Sequence, residues 1–189
     1  LSTNWSPNGI PNSRQTGVLF GDVITGAVDV TVDSSFTVNR IEFDNAHNYS
    51  IVGAGSINLE QTSEQTLPVV TVTSGNHGIA ADLNVLNNTS VNIANGSTLT
   101  VGVVDLDGNT LTKAGPGRLD INGTSGSSLG SLVATEGTVG GTGTVGGTLE
   151  NQTATVAPGN SIGVLNVAIN YIQSAGGTLS IEIAGTGAA

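Results

Sequence analysis

The chain has 189 residues, room for one elongated repeat domain or one to two compact ones. Its 14 acidic residues outnumber 4 basic ones, for a formal net charge of −10. Arg14, Arg40, Lys113 and Arg118 are scattered, which excludes nucleic acid as a partner and disfavours an anionic membrane surface, since both need clustered cations.

Residues 1–21 differ from the rest. They hold the only tryptophan, Trp5, and two of the five prolines, Pro7 and Pro11. Short strand candidates then recur along the whole chain. In order they include Val28–Val32, Phe36–Phe43, Tyr49–Val52, Ser56–Leu59, Val69–Thr73, Leu83–Leu86, Ser90–Ala94, Thr98–Val103 and Thr110–Lys113. They go on through Arg118–Asn122, Ser131–Thr135, Thr144–Val145, Val164–Ala168 and Tyr171–Ser174 to Thr178–Ala184. Many alternate apolar and polar residues with period two. Turn dipeptides punctuate them at Asn95-Gly96, Asp107-Gly108 and Asn122-Gly123. The best helical candidate, Gly78–Leu86, amounts to a single turn or a short helix.

Strands so short bury no core as isolated hairpins and must stack on similar neighbours. An antiparallel sandwich would use the Asn-Gly pairs as hairpin turns. The strands are too short and too many for that, and aromatic residues, at 3%, are too few to fill the space between two sheets. The expected fold is therefore all-β, a parallel β-solenoid of roughly eight to ten coils at about 18–24 residues each, stacked at the inter-strand spacing. It occupies residues 22–189. Residues 1–21 read as an N-terminal cap or lead-in, with Trp5 and Phe20 as plugs for the open end.

The best metal-like cluster is Asp105-Leu106-Asp107-Gly108-Asn109, where Asp105, Asp107 and Asn109 offer alternating oxygens ahead of a glycine, a pattern that can wrap Ca²⁺. The competing reading is a plain turn, which the missing distal Glu favours. His47 and His77 could meet on nearby coils, but lone loop histidines are usually solvated. Asp29, Asp33, Glu42 and Asp44 could cluster across coils as the carboxylates of a polysaccharide-active enzyme. Basic residues to hold an acidic sugar chain are nearly absent. No catalytic or cofactor-binding residue is assigned, and Ca²⁺ is the only cofactor considered. Asparagines at coil corners are expected to form side-chain ladders or left-handed turns rather than glycosylation sites.

At Leu111–Gly123 the sequence LTKAGPGRLDING resembles the autotransporter-associated β-strand repeat. Thr112, Lys113, Gly115, Gly117, Leu119 and Gly123 fit the motif, with Pro116 inside the turn. Gly137–Gly147, Val156–Ile162, Tyr171–Gly177 and Leu179–Ile183 resemble the coil that follows in such passenger regions. Asn4–Gly21 resembles a lead-in of large secreted bacterial proteins. The resemblance implies a right-handed parallel β-helix, secreted or displayed on a Gram-negative cell surface, with activities carried by inserted loops or separate domains.

With no obvious large insertion, the chain reads as a shaft. The expected role is a non-enzymatic extracellular structural module, a surface shaft or self-associating filament or matrix subunit. The alternatives are an adhesin for glycans or host protein and, less favoured, a polysaccharide-active enzyme. Homo-association is expected through solenoid ends or flanks, with Thr178–Ala184 as one contact. No apolar run is long enough to insert in a bilayer.

Overall fold

The computed structural model describes residues 5–6, 8–126 and 128–183. Among them there are 21 strands and no helix. Every strand ladder is parallel, and the only antiparallel contact is an isolated bridge between Gly141 and Gly159.

The strands group into eight coils. The first two hold β1 (Ser13–Phe20) and β2 (Val28–Thr31), then β3 (Ser35–Asp44) and β4 (Tyr49–Val52). The third holds β5 (Ser56–Leu59), β6 (Val69–Ser74) and β7 (Asn76–Ile79), and the fourth β8 (Asp82–Val85), β9 (Thr89–Ile93) and β10 (Thr98–Val101). Next come β11 (Val104–Asp105), β12 (Thr110–Ala114) and β13 (Arg118–Ile121), then β14 (Ser131–Ala134) and β15 (Thr138–Gly141). The last two hold β16 (Thr144–Val145), β17 (Thr148–Asn151) and β18 (Thr155–Pro158), then β19 (Asn166–Val167), β20 (Tyr171–Gln173) and β21 (Thr178–Leu179).

Three faces result. One is the eight-stranded sheet β2-β4-β7-β10-β13-β15-β18-β21. Strand β3 is long enough to turn a corner: its first half starts the column β5-β8-β11, and its second half starts β6-β9-β12-β14-β17-β20. The third face continues through a bridge from Thr124 to Thr144 into β16-β19.

Alternation explains why these segments are strands. In Tyr49–Val52, Ser131–Ala134 and Thr98–Val101 every second residue is buried. Parallel register then lines like residues up along the axis. Ile51, Ile79, Val101 and Ile121 form one inward column, and Leu111, Leu132 and Leu149 another. Each such burial contributes roughly 1.5–3 kcal/mol, and backbone hydrogen bonds join each coil to the next. Corners are where the coils come closest. Gly141 sits at φ +105, and a Cβ there would lie 2.1 Å from the Ile121 carbonyl oxygen.

Several expectations need correction. Gly78–Leu86 is no helix: His77 and Ile79, then Leu83 and Val85, are buried with period two, so the segment is the end of β7, a corner and β8. Residues 13–20, placed in the cap, form a strand that pairs with β3. The run Thr98–Val103 breaks after Val101, and β11 begins the next face. The strand expected at Thr178–Ala184 is only Thr178–Leu179, and Ala184 lies outside the described residues.

Candidate functional site

The nominated metal segment is a tight turn. The Asp105 carboxylate accepts the Asp107 N–H at 3.1 Å, and Asp107 takes a left-handed φ of 45°. The side-chain amide of Asn109 is committed to protein: it donates to the Val85 carbonyl at 2.8 Å and the Asp107 carbonyl at 3.1 Å. These bonds close the turn and tie it to the preceding coil. Among the described residues, no group of three or more His, Cys, Asp or Glu side chains converges to hold a metal.

The four acidic residues considered for catalysis do not meet on one face. Asp29 lies on β2 in the eight-stranded sheet. Glu42 and Asp44 lie on β3 in the other, where Glu42 pairs with Arg40 and Asp44 accepts from the Ser74 hydroxyl. The two histidines also part. His47 is exposed, whereas His77 is buried in the lumen.

His77 ends a ladder of rings. Trp5 meets Phe20 edge-on at 6.1 Å, Phe20 stacks on Phe43 at 5.0 Å, and Phe43 stacks on His77 at 4.7 Å. The Tyr49 N–H donates to His77 Nδ1 at 3.1 Å, and Nε2 lies 2.8 Å from the Ser74 carbonyl. These two partners fix the Nε2–H tautomer. Burial holds the imidazole below its usual pKa.

Lys113 is fully buried, in register between Val91 and Ala134. Its Nζ donates to three carbonyls, those of Gly115 (2.7 Å), Ala114 (3.0 Å) and Glu136 (3.1 Å). Burial pushes its pKa down to about 8, against the opposing pull of the Glu136 charge. The lysine of the LTKAGPG segment is thus a clasp for its own glycine corner. Asn151, also fully buried, sits further along the same column and donates to the Thr178 carbonyl at 2.9 Å. Parity could have revealed both missed residues: Leu111 and Lys113, or His77 and Ile79, are two apart on a strand and so point the same way.

Outside, Asn58 and Asn84 form the expected side-chain ladder at 2.8 Å. Arg118 braces the loop after β18: it donates to the Gly159 carbonyl at 2.9 Å and lies 2.7 Å from Asp120 Oδ1, off the line of its N–H bonds.

The eighth coil is the exception to this closed surface. In the coils before it the column positions are buried, but Tyr171, in register with Leu149, and Leu179, in register with Val156, are exposed. Ile169, Ile172, Ile181 and Ile183 are exposed beside them. Among the described residues, β19, β20 and β21 pair on one side only, with β16, β17 and β18. Compared with protein-family models, curated proteins and solved structures, the chain matches none.

Proposed function

We propose that the chain is a non-enzymatic structural module of an extracellular bacterial surface, a shaft that joins end-on to a second copy. The observation that carries this reading is the eighth coil, which presents lumen residues and an unpaired strand edge together. Such an edge is a template for another strand, and the apolar residues beside it gain free energy when covered. The sides of the rod carry short polar side chains already tied to one another.

Light scattering across a concentration series at moderate salt tests the reading. The expected result is a mass that grows with concentration and falls back to the monomer in Leu179→Lys and Ile181→Lys. A strictly monomeric chain at high concentration, unchanged by either substitution, refutes it.

The adhesin reading draws support from one feature, the polar row of Thr98, Arg118, Thr138, Thr155 and Thr178 along the eight-stranded sheet. A glycan panel that binds wild type and loses Thr138→Val would favour that role.

A further inference from the structure

The lumen is tightly filled along most of its length. Around Val104, Leu106 and Val145 the free space is about 10 Å³. At the other end of the rod, beneath Trp5, it opens into a cavity of about 160 Å³ lined by Val18, Phe20, Phe36, Ile41 and Ile51 among others. Thr31 and Asp33 also border it. An apolar cavity of roughly 150 Å³ stays dry and takes up a benzene-sized guest.

We propose that this cavity is a binding site for a small single-ring aromatic molecule carrying an ammonium group. The ring belongs inside. Trp5 and Phe20 already meet edge-to-face at 64°, so the lining presents both an edge and a face to a guest ring. The charged group belongs at the border, where exposed Asp33 supplies the carboxylate and a chain of net charge −10 disfavours anions. Burying one such ring returns the contacts that the cavity walls lack.

Trp5 is the only tryptophan, so its fluorescence reports on the site alone. Benzylamine is titrated into the full chain, with toluene and benzoate as probes lacking the positive charge, and thermal unfolding is followed in parallel. Saturable change in Trp5 emission and a rise in Tm are expected with benzylamine, at least threefold tighter than with either control. Asp33→Asn should bring benzylamine to the level of toluene. Val18→Phe, which fills the space, should abolish the response while the far-ultraviolet spectrum stays that of a β protein. No saturable response up to 10-millimolar-order concentrations of benzylamine, equal binding of all three probes, or an undiminished response in a folded Val18→Phe overturns the proposal. Should Val18→Phe fail to fold, the Asp33→Asn comparison and the Tm shift of the wild type decide.

Discussion

The two halves of the rod close their lumen by opposite means. In the first coils the chain takes long steps, from Val30 to Ile51, twenty-one residues on, and from Ile51 to Ile79, twenty-eight on. The wider space is filled by the rings of Phe20, Phe43, Tyr49 and His77. In the later coils the steps shorten, to twenty between Asp120 and Gly140 and seventeen between Gly141 and Pro158. There glycine corners bring backbone against backbone, and the remaining interior holds Lys113 and Asn151. Stacking demands only that each coil fit its neighbours, so the width of the lumen drifts along the axis. Side chains fill a wide coil and can yield somewhat, whereas a corner closed by backbone has nothing to yield.

That contrast makes Gly141→Ala the severest test. Its Cβ would need to occupy space 2.1 Å from the Ile121 oxygen and 2.6 Å from the Ile121 nitrogen, at a φ that side chains rarely adopt. Loss of the cooperative thermal transition is expected by circular dichroism. Gly96→Ala is the control, left-handed at φ +75 but with nothing within 4 Å of the added methyl, and should cost only about 1–2 kcal/mol. Equal effects of the two would end the argument from close approach.

In the ring-filled half, Phe43→Ala should cost about 3–5 kcal/mol in denaturant unfolding, with Phe43→Leu much milder. A cost below about 1 kcal/mol would mean that this part of the lumen collapses freely.

In the glycine-closed half, Lys113→Met should destabilise by about 2–4 kcal/mol, because three buried carbonyls lose their donor. The pH dependence has a definite sign. A lysine whose folded pKa is lowered to about 8 binds its proton less well folded than unfolded, so this group's contribution raises stability as pH climbs from about 8 towards 10. Lys113→Met should lack that rise. The window stops short of Tyr49, whose pKa burial and Asp22 push up.

His77 gives the acid counterpart. Its folded pKa is lowered, so stability should fall as pH drops below about 6.5, the range in which the unfolded imidazole takes up its proton. The added proton would sit on Nδ1, facing the Tyr49 N–H that now donates to it. His77→Phe should flatten stability between pH 6.5 and 5, at a pH-independent cost of about 1 kcal/mol for the lost Tyr49 and Ser74 bonds. The smallest effect concerns Ca²⁺. Calorimetric titration should give weak heat or none, unchanged in Asp107→Ala, since Asn109 and Asp105 already serve the turn. Tight binding lost in that variant would restore the metal reading.

The fold was legible wherever alternation was strong. Tyr49–Val52, Ser56–Leu59 and Thr144–Val145 are strands with the bounds their patterns suggest. The misses share one cause. Asn76-His77-Gly78 looks like a turn on its own, and only register with β4 and β10 makes it a strand. Arg14 and Gln15 hide β1 in the same way, since its pairing comes from β3, some twenty residues later. Neighbouring coils supply what local sequence lacks, and a reading by segments cannot weigh them. The candidate sites were less legible still. A charged or ionisable residue was taken as exposed by habit, although strand parity placed Lys113 and His77 inside. The Asp105–Asn109 cluster was legible as a turn because glycine and alternating Asp favour one.

The longest coil owes its length to the loop at residues 60–68, between β5 and β6. The buried Asn39 side chain ties its two ends, donating to the Glu60 carbonyl at 3.0 Å and the Thr66 carbonyl at 2.9 Å. Strands β5 and β6 keep their partners β8 and β9 in unbroken register beside it. This corner is therefore a mounting point. Foreign peptide spliced at Ser63-Glu64 would hang from a knot of two hydrogen bonds, and each doubling of its length would add only about 0.6 kcal/mol of closure entropy. A rod of this kind can be made to carry passengers of almost any size at one fixed height along its axis.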